Sequence, residues 1–150
     1  AKALKTPVGH LYDQAFAGWT EATARLLRAG RFDEIDIEHA AEEIEDMGKR
    51  DSREVFSRAR LIIMHLLKWT FQPEMRSGSW RSTINTQRSD LFPILKDSPS
   101  LKRKLREAAV DVYVDAVKDA ADETGLPRRT FPDECPFSLE QILDREFFPE

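Results

Sequence analysis

Cysteine is almost missing from this chain. Cys135 stands alone, so no disulfide can close within it, and a reducing compartment is the default for such a sequence. Long apolar runs are missing too. The stretch LIIMHLL at 61–67 is the longest, far short of the roughly 20 residues that span a bilayer. No apolar leader pattern opens the sequence, so the expectation is a cytoplasmic protein without a membrane span. The Val/Ile/Thr alternation between glycine turns that marks strands is nearly absent, and there are only 6 glycines to make such turns. No glycine-rich phosphate loop, Cys-x-x-Cys pair or nucleophile elbow is present, which removes the standard nucleotide, zinc-ribbon and hydrolase signatures. No internal repeat or low-complexity segment is visible.

What is present favours helices. The 150 residues suit one domain with a single sizeable core, and 41% hydrophobic with 33% charged residues is a globular mix. Ala, Leu, Glu, Arg, Asp and Lys dominate, all but Asp good helix formers. Residues 1–8 read as a frayed start. Tyr12, Phe16, Trp19, Thr23, Leu26 and Leu27 then recur at helical spacing, and Gly30 supplies the left-handed residue that closes this helix. Asp36 is the expected N-cap of a second helix. Its apolar stripe runs Ile37, Ala41, Ile44, Gly48, Val55, Ala59, Ile62, Leu66, Trp69. The register holds across Gly48, so one helix from 36 to 72 fits, about 54 Å long; a break near MGKRD is the alternative. Pro73 ends it.

Ser79 reads as the next N-cap, with Trp80, Thr83, Ile84, Gln87, Leu91 and Leu95 on one face and Pro93 kinking the end. Ser98 and Pro99 open a fourth helix to 123, with Leu101, Leu105, Ala108, Val112, Ala116 and Ala120 inward, until Gly125 and Pro127 stop it. Beyond 126 the proline-rich chain is extended, Ser138 and Gln141 form a capping box for a short helix, and FFP makes an apolar lid. The expected architecture is all-α: an up-and-down four-helix bundle with a short C-terminal helix and an extended Pro-rich segment.

Charge is segregated along the chain. Residues 33–48 hold eight acids and no Lys or Arg; 49–106 hold fourteen Lys/Arg against five acids; 107–150 hold four against twelve. Either oppositely charged helices pack side by side, or the basic middle presents a face to an anionic partner.

The motifs AEEIEDMG, HLLKW followed by QP and RS, SWRSTI with QR, DSPSL, ETGLP, TFPDECPFSLEQILD and FFP resemble an uncharacterised bacterial family, the domain-of-unknown-function family 29. The resemblance runs from about Tyr12 to Pro149. It implies an all-α, bundle-like domain and brings no activity, cofactor or partner with it. Its motifs include His65, Lys68, Trp69, Gln72, Arg76 and Trp80, which makes that stretch the first candidate region. Pro93 departs from the family pattern and puts the straightness of the third helix in question.

Three groups of residues could carry chemistry. His65, Lys68 and Gln72 form a polar strip beside the apolar stripe, with Trp69 next to it, and Arg76 joins through the turn after Pro73. Such a strip must find partners, because an unsatisfied buried group costs about 1–3 kcal/mol. The acidic cluster Glu42–Asp46 contains a His39, Glu43, Asp46 face with the spacing of a weak metal site. Asp36–His39 is the single loose fit to a carboxylate-x-x-His pair, and it has no second copy. Glu45 and His65 lie twenty residues apart, about 30 Å on a straight helix, so a shared site needs a hairpin at Gly48 or a second subunit. Arg76, Arg81 and Arg88 with Trp80 could grip phosphates, and Lys102, Arg103, Lys104 and Arg106 could extend that patch. Cys135, before Pro136, reads as an inert thiol.

The favoured reading is a cytoplasmic helical interaction module that binds protein or nucleic acid through its basic centre. The alternative is an enzyme or ligand-binding protein with a site at His65, Lys68, Gln72 and Arg76, metal-assisted by Glu42–Asp46. A homodimer is the third option, since so long a helix would overhang a compact domain. The sequence names no cofactor, substrate or pathway.

Overall fold

The structure, a computed structural model, describes Tyr12 and residues 15–150. Among these residues the chain is all-α, without strands. Six α-helices follow in order: α1 (Phe16–Arg28), α2 (Ile37–Phe71), α3 (Gly78–Asp97), α4 (Pro99–Glu107), α5 (Ala109–Thr124) and α6 (Leu139–Leu143). Short 3₁₀ turns occupy Phe32–Glu34, Pro73–Met75 and Arg128–Thr130. The expected frayed residues 1–8 lie outside the described residues. No described helix is long and apolar enough to cross a membrane. The chain divides into two compact units, one ending at Arg50 and one running Asp51–Glu150, and each is taken by itself below.

In the first unit, α1 ends as its sequence demands. Gly30 has φ 71°; its N–H reaches Leu27 O at 3.1 Å, and the Arg31 N–H reaches Leu26 O at 2.9 Å. That paired closure is the Schellman arrangement, which needs a residue without Cβ strain at the left-handed position. Asp36 is fully buried, and its Oδ1 accepts the His39 N–H at 3.3 Å, which is the expected cap. Tyr12 stacks on the His39 ring at 3.7 Å and meets Trp19 edge-on at 4.9 Å. His39 and Glu43 lie on the side of α2 opposite Ile37 and Ile44. The anticipated inward stripe is therefore corrected here: Ile37 and Ile44 are 63% and 69% exposed, Ala41 and Gly48 are exposed with them, and the neighbouring Met47 is 57% exposed.

In the second unit the same stripe is core. Val55, Ala59, Ile62 and Leu66 are buried, and so is every residue from Ile62 to Trp69. A helix segment buried on all sides must have neighbours all round. α3 runs antiparallel to α2: Arg58 reaches Asp90 near one end, and Lys68 lies over Trp80 near the other. α5 runs parallel to α2, with Arg60 bonded to Asp119 and Lys68 to Glu123. The C-terminal chain completes the enclosure: Phe131, Phe137 and Ile142 belong to the core, and Phe147 and Phe148 pack against it.

Several local expectations change. α2 runs unbroken through Gly48, so the break near MGKRD does not occur, nor does the hairpin that a shared Glu45–His65 site would need. Ser77, not Ser79, caps α3: its backbone is extended, with φ −142° and ψ 162°, and its Oγ accepts the Trp80 N–H at 3.2 Å. α3 continues through Pro93 to Asp97. The fourth helix is two, separated at Ala108, whose ψ of 1° lies well off the helical value. Ser98 makes no side-chain cap, although Pro99 does begin α4. Gly125, at φ 73°, ends α5 as expected, and the Ser138–Gln141 capping box is complete.

Gly48 lies inside an unbroken helix, and a Cβ added there meets nothing within 4 Å. Gly48→Ala should therefore stabilise the protein by about 1 kcal/mol. Urea unfolding midpoints measure this, and a lower midpoint would contradict the continuous helix.

Candidate functional site

The residues singled out from the sequence divide into two groups and one detached histidine. His65 sits on α2, where it is only 8% exposed. Its Nδ1 donates to Leu61 O of its own helix at 2.9 Å. Burial holds its pKa below the ordinary histidine value, opposed by the bond to Leu61 and reinforced by the charge of Lys68. The neutral ring is the folded form, and its contribution to stability is lost as pH falls below the unfolded-state value.

Lys68, one turn on, is also buried. Its Nζ donates to Glu123 Oε1 at 3.3 Å and lies 4.6 Å from the centre of the Trp80 ring. The ammonium thus has a carboxylate on one side and an aromatic face on the other, which is how a buried cation is tolerated. Gln72 is half-buried where the 3₁₀ turn at Pro73 begins.

The second group is built around Trp69. Its Nε1 donates to Pro149 O at 3.0 Å, and its ring packs on Phe148 at 5.1 Å. Arg76 comes back over the end of α2: its Nε donates to Trp69 O at 2.9 Å, satisfying one of the carbonyls a helix end leaves open, and its guanidinium covers the Trp69 ring at 5.0 Å. The Arg81 guanidinium lies 5.0 Å from Trp69 and 4.3 Å from Phe148.

Arg88, on α3, is 1% exposed. It donates to three carbonyl oxygens of the C-terminal segment: Nε to Ile142 at 2.8 Å, Nη1 to Phe147 at 2.7 Å and Nη2 to Gln141 at 3.0 Å. Burial lowers its pKa to about 10, so the guanidinium stays charged at neutral pH. Five fixed donors suit Arg, and no other side chain, to tie three separate carbonyls.

The sequence placed these residue types in one stretch, and the fold divides them between neighbouring faces of α2, about 100° apart. Lys68 and Trp80 come together; Trp69 and Arg76 join Arg81 and Arg88 around Phe148; His65 turns back to its own helix. Glu123, Phe148 and Pro149 are partners that spacing could not reveal, because each lies more than fifty residues from the group it meets. In the first unit, His39 Nδ1 contacts Asp36 Oδ2 at 2.5 Å, and Tyr12 OH donates to Glu43 Oε1 at 2.7 Å. That bond is the main reason the phenol pKa rises to about 12. Asp46 is exposed. Among the described residues, no group of three or more His, Cys, Asp or Glu is placed to hold a metal ion.

Open space lies beside the second group. A cleft of about 330 Å³ between α3 and α4 is lined by Leu91, Phe92, Leu95 and Leu143, with Arg88, Lys96 and Lys102 around them. A second, of about 430 Å³, lies nearer the start of α3, between Arg81, Asn85 and Ser89 and the terminal residues Arg145, Glu146 and Phe148. The basic middle is partly neutralised: Arg58, Arg60, Lys68 and Arg106 have carboxylate partners. Lys96, Lys102, Arg103 and Lys104 form no ion pair among the described residues and are exposed.

A family model described as domain of unknown function DUF29 matches residues 11–148. No curated protein matches the chain, and no solved structure does.

Arg88→Met keeps the bulk but removes all three bonds. It should destabilise the second unit by several kcal/mol, about 1–3 kcal/mol for each buried carbonyl left unpaired, and deprotect the amides of the C-terminal segment in hydrogen exchange. Wild-type stability and protection in this variant would show that the clamp is dispensable.

Proposed function

Because the chain belongs to the DUF29 family, which brings no activity with it, we propose a function read from the chain's own surfaces. It is a cytoplasmic helical interaction module, arranged as an up-and-down bundle, that docks an acidic protein segment carrying apolar anchors. The observation that carries this reading is the α3–α4 cleft. Its apolar side chains are Leu91, Phe92, Leu95 and Leu143, and Lys96 and Lys102 stand beside them. Phe92 is 55% exposed, a large ring on an open surface. Arg103 and Lys104 follow Lys102 directly on α4, and with Lys96 and Lys102 these four charges form no ion pair among the described residues.

An apolar floor with a cationic rim matches an amphipathic helix whose apolar face enters the groove while acids meet the lysines. A nucleic-acid backbone would use the charge and leave the apolar floor unsatisfied, and the net charge of −4 opposes a long polyanion. The buried Lys68 and His65 weigh against the polar-site enzyme reading, since both are already engaged within the protein. Cys135 fits a reducing compartment: it is half-buried, and burial raises its thiol pKa.

A designed Leu/Glu amphipathic peptide should shift the NMR signals of Phe92, Leu95, Lys96 and Lys102. Lys96→Glu with Lys102→Glu should weaken it at least about tenfold, a loss of roughly 1.4 kcal/mol. A single-stranded oligonucleotide that shifts these signals while the peptide does not would replace this reading with the nucleic-acid one.

A second reading, a homodimer, is favoured by one observation: the exposed Ile37, Ile44 and Met47 share a helix face with Ala41 and Gly48. Sedimentation equilibrium should show a dimer that Ile44→Asp converts to monomer; a wild-type monomer at all concentrations would end this reading.

A further inference from the structure

The cleft near the start of α3 is a different kind of surface. Arg81, Asn85 and Ser89 recur at four-residue spacing and so share one face of the helix; Arg145, Glu146 and Phe148 of the C-terminal segment stand opposite. We propose that this cleft binds a phosphate group, free or at the end of a small molecule, with Arg81 and Arg145 as its two cationic arms.

Three observations point this way. First, both guanidiniums are held before any ligand arrives. Arg81 is packed on the rings of Trp69 and Phe148, at 5.0 and 4.3 Å. Arg145 Nη2 donates to Ser89 Oγ at 2.8 Å. Fixing a long side chain is normally part of the cost of binding, and here the fold has already met it. Second, the arginines here are not paired off, although the charge of Asp144 acts on Arg88 from beyond contact distance. Arg76, Arg81, Arg88 and Arg145 form no ion pair among the described residues. Arg76 and Arg88 spend their donors on backbone carbonyls, which leaves their positive charge in place. Glu146 is the one carboxylate lining the cleft, and it is bonded to neither arm. Third, the chemistry of the lining is right. Guanidinium forks, an amide and a hydroxyl are phosphate donors, and about 430 Å³ is in the range of small-molecule sites rather than of a polymer track.

This site is distinct from the apolar groove proposed above, which lies further along α3, and does not depend on it. The phosphate could be free or the terminal group of a metabolite, and the same titration separates the two. Isothermal titration calorimetry of the full chain with inorganic phosphate and with phenyl phosphate should show saturable, one-to-one binding. Stronger binding of phenyl phosphate would identify an esterified ligand; equal binding would identify free phosphate. Arg81→Gln should weaken either probe about tenfold or more. Because Arg81 also packs on Trp69 and Phe148, Ser89→Asp is the second variant: it sets a carboxylate beside Arg145 without touching that stack and should abolish binding while circular dichroism stays unchanged. Arg129→Gln, remote from the cleft, should bind as wild type. Phosphate affinity that survives Ser89→Asp, or that Arg129→Gln lowers equally, would overturn the proposal, as would the absence of saturable binding.

Discussion

Burying one helix segment on every side is the constraint from which the second unit follows. From Ile62 to Trp69 no residue of α2 is left to solvent. An α-helix presents its side chains all round, so helices on one side alone cannot hide two full turns. α3 and α5 cover part of the segment, and the irregular C-terminal chain has to cover more. That chain carries backbone carbonyls that no helix of its own satisfies. The Arg88 clamp and the Trp69–Pro149 bond answer that need, since buried polar groups must be paired.

The same burial decides the fate of the polar residues within the segment. A histidine and a lysine inside an apolar enclosure need a partner each. His65 uses the carbonyl one turn back; Lys68 uses Glu123 and the face of Trp80. Lys68 thereby ties α2 to α5 and α3, while His65 is bonded within its own helix. What remains free is carried by side chains further out. The lysines beside the α3–α4 groove and the arginines of the polar cleft lie on a scaffold that the buried ones have made rigid. Arg88 touches both roles: it ties down the terminal segment and lines the apolar groove.

The two halves of α2 show how one sequence pattern can meet two outcomes. Ile37, Ile44, Val55 and Ile62 keep a single helical register. The last two are buried and the first two exposed. Periodicity reports that a face is apolar; it does not report whether anything is there to cover it. Tyr12 engages the opposite side of the helix through His39 and Glu43.

Local physics was legible throughout. The helix-closing glycines Gly30 and Gly125, the Asp36 cap, the Pro73 stop, the Pro99 start and the Ser138–Gln141 box all depend on contacts within a few residues, and the sequence by itself determined them. It also determined the all-α class, because helical spacing and helix-forming residues recur from α1 to α6. The Ser77 cap and the interruption at Ala108 were missed because neighbouring residues offered equally good local solutions. The polar region was legible as a set of residues but not as an arrangement. Only the tertiary structure decided that Lys68 meets Glu123, that Arg88 holds Gln141, Ile142 and Phe147, and that Arg81 packs on Phe148. Those partners are separated by tens of residues, and no spacing rule extends beyond the helix in which it operates.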